Sequence, residues 1–309
     1  MTISAENRGS FYAILSGFLY GFIGYFGISA INGNLSASNM LFWRFLIASI
    51  AILLYVLPQI RKCKDSYQSL WMAFLTGTLF YGVSTMIYFY SSLYIGSGLA
   101  MVIFFTYPVI IMLLNYFLYQ QHIPKVYYLA TLIILIGMTL LVNFDKMAFD
   151  LIGIFLAIAS AFFYACYMIS SKRNVISPNM STLMVCLGCM FTAFWVAILT
   201  HSFAVPTSTS VWLNLMGIAI VATVIPILLL LYSLEYISSE KASILSVLEP
   251  VFVVIFGVLL LGEELQRWSP LGIALVLTGA VMTLFSHKLS LPGLKTQMFR
   301  LLGRVESNQ

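Results

Sequence analysis

The chain has 309 residues, of which 61% are hydrophobic and 8% charged, against roughly a quarter charged in an ordinary globular chain. A mean hydropathy of +1.00 with 24 Phe, 18 Tyr and 15 Met leaves too few polar residues to cover an outside surface, so lipid must be the solvent. Cytosolic enzymes, nucleic-acid binders, disordered regulators and disulfide scaffolds are thereby excluded, and the net charge of +5 reads as a topology signal because most charges fall in short gaps between apolar runs.

A helical crossing needs about 20 mostly apolar residues. Ten such runs follow one another, near 10 to 31, 39 to 57, 70 to 93, 97 to 118, 125 to 143, 150 to 170, 180 to 200, 211 to 233, 242 to 261 and 268 to 287. They are continuously apolar, as in Ile133 to Ile136 and Ile225 to Leu231, and not alternating, which favours helices over a β-barrel. The first run has the outline of a signal peptide, with Arg8 before it and Ser36, Ala37 and Ser38 after it, but it is too long for one. The expected fold class is therefore an all-α integral membrane protein with ten transmembrane helices.

Lys and Arg in the gaps set the orientation. With the N-terminus inside, the cytoplasmic side holds Arg8, Arg61, Lys62, Lys64, Lys125, Lys172, Arg173, Lys241, Lys288, Lys295, Arg300 and Arg304, and the other side holds Lys146 and Arg267. That excess of 12 to 2 predicts that both termini are cytoplasmic. Arg44 lies inside the second run, five residues from its outer end, where its long side chain is expected to snorkel to the interface.

The chain also repeats itself. An offset of 142 residues brings Tyr90 onto Tyr232, Ser91 onto Ser233, Tyr94 onto Tyr236, Ile95 onto Ile237, Pro108 onto Pro250 and Gly137 onto Gly279. An offset of 144 brings Gly9 onto Gly153, Phe18 onto Phe162 and Tyr20 onto Tyr164. Two five-helix repeats follow, over 8–146 and 150–289, with a tail over 290–309. Five is odd, so the second repeat must enter from the opposite face, and the two are expected to be inverted about an axis in the membrane plane. Such repeats, able to exchange conformations about a central site, suit alternating access.

These residues resemble the drug/metabolite transporter superfamily and, within it, the ten-helix proteins with two EamA domains. The resemblance is sharpest in Ala242-Ser-Ile-Leu-Ser-Val-Leu-Glu249-Pro250-Val, ending in Leu261-Gly262-Glu263, and in Trp43-Arg44-Phe45 followed by Ala48. The first half departs from it where Gly262-Glu263 is matched by Gln120-Gln121. The resemblance implies a small-metabolite carrier without naming its solute, and the expected location is the bacterial inner membrane.

Candidate site residues follow from what is costly in lipid. Pro108 and Pro250 lie mid-crossing, where each removes a backbone hydrogen bond and should kink its helix, freeing the carbonyls of Phe104 and Ser246 towards a solute or merely bending a packed helix. Glu249 is the one acid deep in a crossing, about 12 Å inward from Lys241 at 1.5 Å per residue. It reads as a proton carrier, a partner for a cationic group, or a hydrogen-bonding structural acid. Tyr20, Tyr81, Tyr88, Phe104 and Tyr164 are close enough along helices one, three, four and six to share a cavity, although core packing explains any one of them alone. Glu235, Glu240 and Lys241 at the junction of helices eight and nine are expected as solvated loop charge, with an ion-pair gate as the alternative.

The stripe Gly17, Gly21 and Gly24 is expected to let another helix approach closely. Cys186-Leu-Gly-Cys189 has metal-pair spacing but no second pair or His beside it, so no metal and no cofactor is expected. The tail carries Leu294, Met298, Leu301, Leu302 and Val305 at helical spacing, which fits either a helix on the cytoplasmic leaflet or a disordered end.

The expected function is a secondary transporter of a small organic metabolite, such as an amino acid or another neutral, zwitterionic or cationic solute, because a cavity short of Lys and Arg suits phosphorylated sugars poorly. Proton coupling, exchange and the solute's own gradient are all open as the driving force. The alternatives are a channel-like facilitator and an intramembrane enzyme, and the latter lacks His-Glu-x-x-His, Gly-x-Ser-x-Gly and paired mid-membrane aspartates. The expected partners are the metabolite and membrane lipids, with no nucleic acid, and the chain acts as a monomer or homodimer.

Overall fold

The computed structural model describes residues 5–31, 35–58, 64–142, 149–262 and 264–286. The expectations for the tail over 290–309, for Glu263 and for Lys146 lie outside these residues. Eight helical segments are long and apolar enough to cross a membrane, and two shorter apolar helices accompany them among the described residues.

In the first half, α1 (Ala5–Tyr20) leads into α2 (Ile23–Ile31), and α3 (Ala37–Val56) is unbroken. α4 (Tyr67–Thr76) runs through a π-helical turn, Gly77–Gly82, into α5 (Val83–Ile95). α6 (Ser97–Phe104) precedes α7 (Tyr107–Tyr119), and α8 (Lys125–Thr139) is one of the two shorter helices. The second half follows the same order. α9 (Leu151–Arg173) and α10 (Pro178–Leu199) are unbroken, and α11 (Thr209–Ala219) runs through a second π-helical turn, Ile220–Val224, into α12 (Ile225–Tyr236). α13 (Ser239–Ser246) precedes α14 (Glu249–Leu261), and α15 (Ser269–Leu284) is the other shorter helix.

Local chemistry explains where these helices start. Ser36, Ser66, Asp150 and Ser238 each accept a hydrogen bond from the backbone N–H three residues on, which satisfies an otherwise orphan donor at the start of α3, α4, α9 and α13. Pro108 and Pro250 stand in the first turn of α7 and α14, where a missing N–H costs nothing. The expected kinks are therefore full interruptions, at residues 105–106 and 247–248. Gln120 and Gly262, again 142 apart, close α7 and α14 in the left-handed region, with φ of 52° and 69°. Glycine suits that conformation and glutamine adopts it against its Cβ.

The helices pack in pairs that exchange when the halves are exchanged. α1 lies on α12 and α5 lies on α9, while α3 packs on α10 and α8 on α15. The correspondence reaches single residues. A Cβ on Gly9 would meet Tyr236 Cβ at 2.7 Å and Ile237 Cγ2 at 3.0 Å, and one on Gly153 would meet Tyr94 Cβ at 2.7 Å and Ile95 Cγ2 at 2.6 Å. Likewise a Cβ on Gly137 would lie 2.8 Å from the Gly272 carbonyl, and one on Gly279 would lie 2.7 Å from the carbonyl of Ala130. Residues 130 and 272 are themselves 142 apart. These glycines hold backbones closer than any side chain permits, which is how helices associate in lipid.

Candidate solute site

Five expected site residues meet in one network of rings. Tyr20 on α1 reaches Tyr81 in the first π-helical turn, hydroxyl to hydroxyl at 3.3 Å. Tyr81 lies 5.5 Å from Tyr164 of α9 between ring centroids, Tyr164 lies 5.3 Å from Phe104 at the end of α6, and Phe104 lies 5.2 Å from Tyr88 of α5. Aromatic pairs with ring centroids about 4.5 to 7 Å apart are stabilised beyond their burial.

The network includes rings that sequence reasoning left out. Tyr167 stacks on Tyr81 at 4.8 Å, and Tyr107 meets Tyr164 edge-on at 4.7 Å while its hydroxyl donates to the Ser243 carbonyl at 3.2 Å. Phe45 stands 6.2 Å from Tyr81. Tyr167 could have been found, because it follows Tyr164 by three residues and so shares its helix face. Tyr107 carried a weaker signal as the repeat mate of Glu249, and Phe45 stood in the Trp43-Arg44-Phe45 run of the resemblance with no spacing that tied it to Tyr81.

Glu249 opens α14 and keeps partial exposure. Among the described residues Glu249 forms no ion pair; the pair that does form joins Lys241 to Glu6 at 2.5 Å. The break beside Glu249 is pressed against α1, since a Cβ on Gly17 would lie 3.3 Å from the Ser246 carbonyl oxygen and 3.4 Å from the Glu249 nitrogen. The Ser246 carbonyl therefore faces α1, and the Ser246 hydroxyl donates to the Ala242 carbonyl at 2.9 Å. Pro108 and Pro250 are buried at their breaks. The glycine stripe packs as expected, with Gly21 against Phe252 and Gly24 against Val253.

Arg44 does not snorkel. It is 3% exposed, with Nε donating to Thr223 Oγ1 at 2.6 Å and Nη2 to the Ala222 carbonyl at 3.2 Å. The reason is the second π-helical turn, where Ala222 leaves helical geometry at φ −108° and ψ 15° and offers its carbonyl sideways. The first π-helical turn is satisfied in the same manner from α10, by Cys189 Sγ on the Gly77 carbonyl at 3.4 Å and Thr192 Oγ1 on the Thr78 carbonyl at 2.8 Å. Cys186 and Cys189 are buried and free, and among the described residues no group of three or more His, Cys, Asp or Glu could hold a metal ion.

The charge at the start of α13 is not solvated loop charge either. Glu240 and Lys241 are 4% and 3% exposed. Asn115 of α7 donates to Glu240 Oε1 and, at 3.0 Å, to Ser239 Oγ, and Lys241 takes Glu6 of α1 as its counter-charge. A buried ion must be paired or hydrogen-bonded, and the helices crowding this end supply the partners. Glu235 alone remains exposed.

A family profile described as the EamA-like transporter family matches residues 7–143 and 151–285, one match to each half. The chain belongs to the EamA-like transporter family. This EamA-like chain is 23% identical over 256 residues to an uncharacterized transporter of Clostridium kluyveri, covering 79% of the chain and 82% of that protein. It is 31% identical over 71 residues to an uncharacterized transporter of Archaeoglobus fulgidus, covering 23% of the chain and 26% of that protein. A crystal structure of another protein shares the fold at a TM-score of 0.79 and 17% identity, covering 92% of this chain and 99% of that one. The EamA-like protein is thus a multi-pass integral membrane transporter, and its family and relatives point to transport and not to catalysis.

Proposed function

We propose that the protein is a secondary transporter of ten crossings in two inverted five-helix repeats, moving a small neutral, zwitterionic or cationic metabolite by alternating access through the ring network beside Glu249. The observation that carries this reading is the convergence of Tyr20, Tyr81, Tyr88, Phe104 and Tyr164, from both halves of the chain, in one ring network that Tyr107 ties to α13 through the Ser243 carbonyl. Broken helices at mid-depth are where transporters of this architecture bind solutes. The matched contacts, of Gly9 with Tyr236 and Ile237 and of Gly153 with Tyr94 and Ile95, support a two-fold exchange of the halves, and five crossings in each half would make that exchange an inversion. Aromatic faces with a carboxylate nearby favour a cationic or zwitterionic group over a phosphate.

The 12 to 2 charge excess supports cytoplasmic termini, and a bacterial inner membrane is the location that fits. Proton coupling through Glu249 or solute exchange would power the cycle. Uptake and growth rescue across a metabolite panel, in a strain lacking the corresponding carriers, tests the reading. Saturable uptake of one chemical class is expected, and no uptake of any metabolite despite normal protein in the membrane would refute it.

A further inference from the structure

The geometry points to the groove between α3 and α10 as a lipid site that seats one acyl chain of an anionic phospholipid of the cytoplasmic leaflet, with Lys64 beside the headgroup. The inference goes beyond transport and uses the proposed orientation only to name the leaflet. The groove has a volume of about 390 Å³ and is lined by Leu46, Ser49 and Leu53 of α3 and by Met180, Met184 and Met190 of α10. The Ser49 hydroxyl donates to the Phe45 carbonyl at 2.7 Å, so the walls offer a guest only hydrocarbon and thioether. Packed proteins leave few voids larger than a water molecule, and Leu53, 39% exposed, opens this one to the bilayer, so an apolar guest fills it.

The dimensions of the groove select that guest. Met180 and Met190 are ten residues apart, about 15 Å of helix, which is half of a hydrocarbon core about 30 Å thick. The groove thus spans one leaflet, from the start of α10 to mid-depth. Its volume spread over that length leaves a cross-section of roughly 26 Å², against roughly 80 Å² for a helix about 10 Å across. One extended chain fits, and a helix from a second copy does not. Three methionines suit such a guest, since a flexible thioether side chain adapts to its contour. The mouth supplies the headgroup contacts. Asp65 accepts from the Ser177 N–H at 3.0 Å and from the Ser177 hydroxyl at 2.6 Å, which fixes its neighbour, the exposed Lys64, beside the start of α10. Ser177 precedes Met180, the groove's outermost methionine, by three residues. Next to Met180, Asn179 accepts from the Tyr232 hydroxyl at 3.1 Å, so an amide and a phenol stand at the same mouth. An ammonium and polar groups at the interface suit a phosphate and its ester oxygens.

The test uses the purified full chain in detergent, with palmitoyl-oleoyl phosphatidylglycerol and the matching phosphatidylcholine added separately, and reads bound lipid by native mass spectrometry together with the melting temperature. One phosphatidylglycerol per protein should be held about fivefold more tightly than phosphatidylcholine, as one cation near a headgroup provides, and should raise the melting temperature. Leu187→Trp, which fills the groove part-way along, should lose the tightly held lipid and its stabilising effect. If that variant does not fold, Met184→Phe fills the groove less and should weaken the lipid in the same direction. Lys64→Gln should bring the two lipids to equal affinity without removing the chain. Equal retention of the two lipids by the unaltered protein, or a tight lipid that survives in the filled variants, overturns the inference. A dimer of the unaltered protein that Leu187→Trp splits would give the groove to a second copy and overturn it too. The readout contains no transport step, so a lipid site that fails leaves the transport reading standing, and the converse holds.

Discussion

Tyr20 of α1 and Tyr81 of the first π-helical turn share one hydrogen bond, 3.3 Å between hydroxyl oxygens, with both side chains almost wholly buried. The bond ties the first helix to the third at the place where the third helix leaves α-helical register. It also brackets the rings of Tyr164 and Tyr167, which lie 5.5 Å and 4.8 Å from Tyr81.

Tyr20→Phe or Tyr81→Phe removes one hydroxyl and strands the other in an apolar setting, so each is expected to destabilise the protein by about 1 to 3 kcal/mol. The double substitution should cost less than the sum of the two. Thermal unfolding in detergent, read as a double-mutant cycle, measures the coupling, and additive losses would show that the hydroxyls act independently.

Gly17 allows α1 to touch the break between α13 and α14, its added Cβ being 3.3 Å from the Ser246 carbonyl oxygen. Gly17→Leu needs far more room than one Cβ, and overpacking typically costs about 1 to 3 kcal/mol. Transport should fall along with the melting temperature, because the backbone that presents Glu249 is displaced. Normal transport in a correctly inserted Gly17→Leu protein would show that the break does not have to be held by α1.

Lys241 and Glu6 are unequal partners, with side-chain exposures of 4% and 44%. Removing the carboxylate strands a buried ammonium, whereas removing the ammonium leaves a half-solvated carboxylate. Glu6→Gln is therefore expected to destabilise more than Lys241→Met, in line with the asymmetry known for broken ion pairs. Stability of the two single variants and of the double variant decides the matter, and equal losses would contradict the asymmetry.

The apolar runs were legible because each crossing must be long and continuously apolar, and every helix described here falls on one of them. The stripe Gly17, Gly21 and Gly24 was legible for the same reason, since small residues at helical spacing have one use in lipid. The π-helical turns were not, because an extra residue in a helix leaves no periodic mark in a sequence that is apolar on all faces. Arg44 was misread as a consequence. Counting residues from the end of its run gives its depth, but not the Ala222 carbonyl that a distorted neighbour turns towards it. Glu240 and Lys241 looked like loop charge because their partners, Asn115 and Glu6, lie more than a hundred residues away in the chain. Of the ring network, the tyrosines with repeat mates or helical spacing could be read. Phe45 could not, since its position depends on how α3 meets the first π-helical turn.

The proposed orientation places Ser66, the cap of α4, in the cytoplasm and Ser208, which precedes α11, outside. Single cysteines introduced at these positions should differ in intact cells, the one at 208 reacting with an impermeant thiol reagent and the one at 66 reacting only after permeabilisation. The opposite pattern would invert the topology.

Counterflow in proteoliposomes separates a carrier from a pore. Vesicles containing the purified protein are preloaded with an unlabelled metabolite, and entry of the labelled metabolite is followed after dilution into a trace amount. In alternating access the excess unlabelled solute inside occupies the inward-facing site and competes with label for exit, so labelled solute should enter faster and overshoot its equilibrium level, and Tyr81→Ala should abolish the overshoot without removing the protein from the membrane. Entry that is unsaturable and indifferent to the internal solute would contradict a carrier mechanism and assign the protein to channel-like passage.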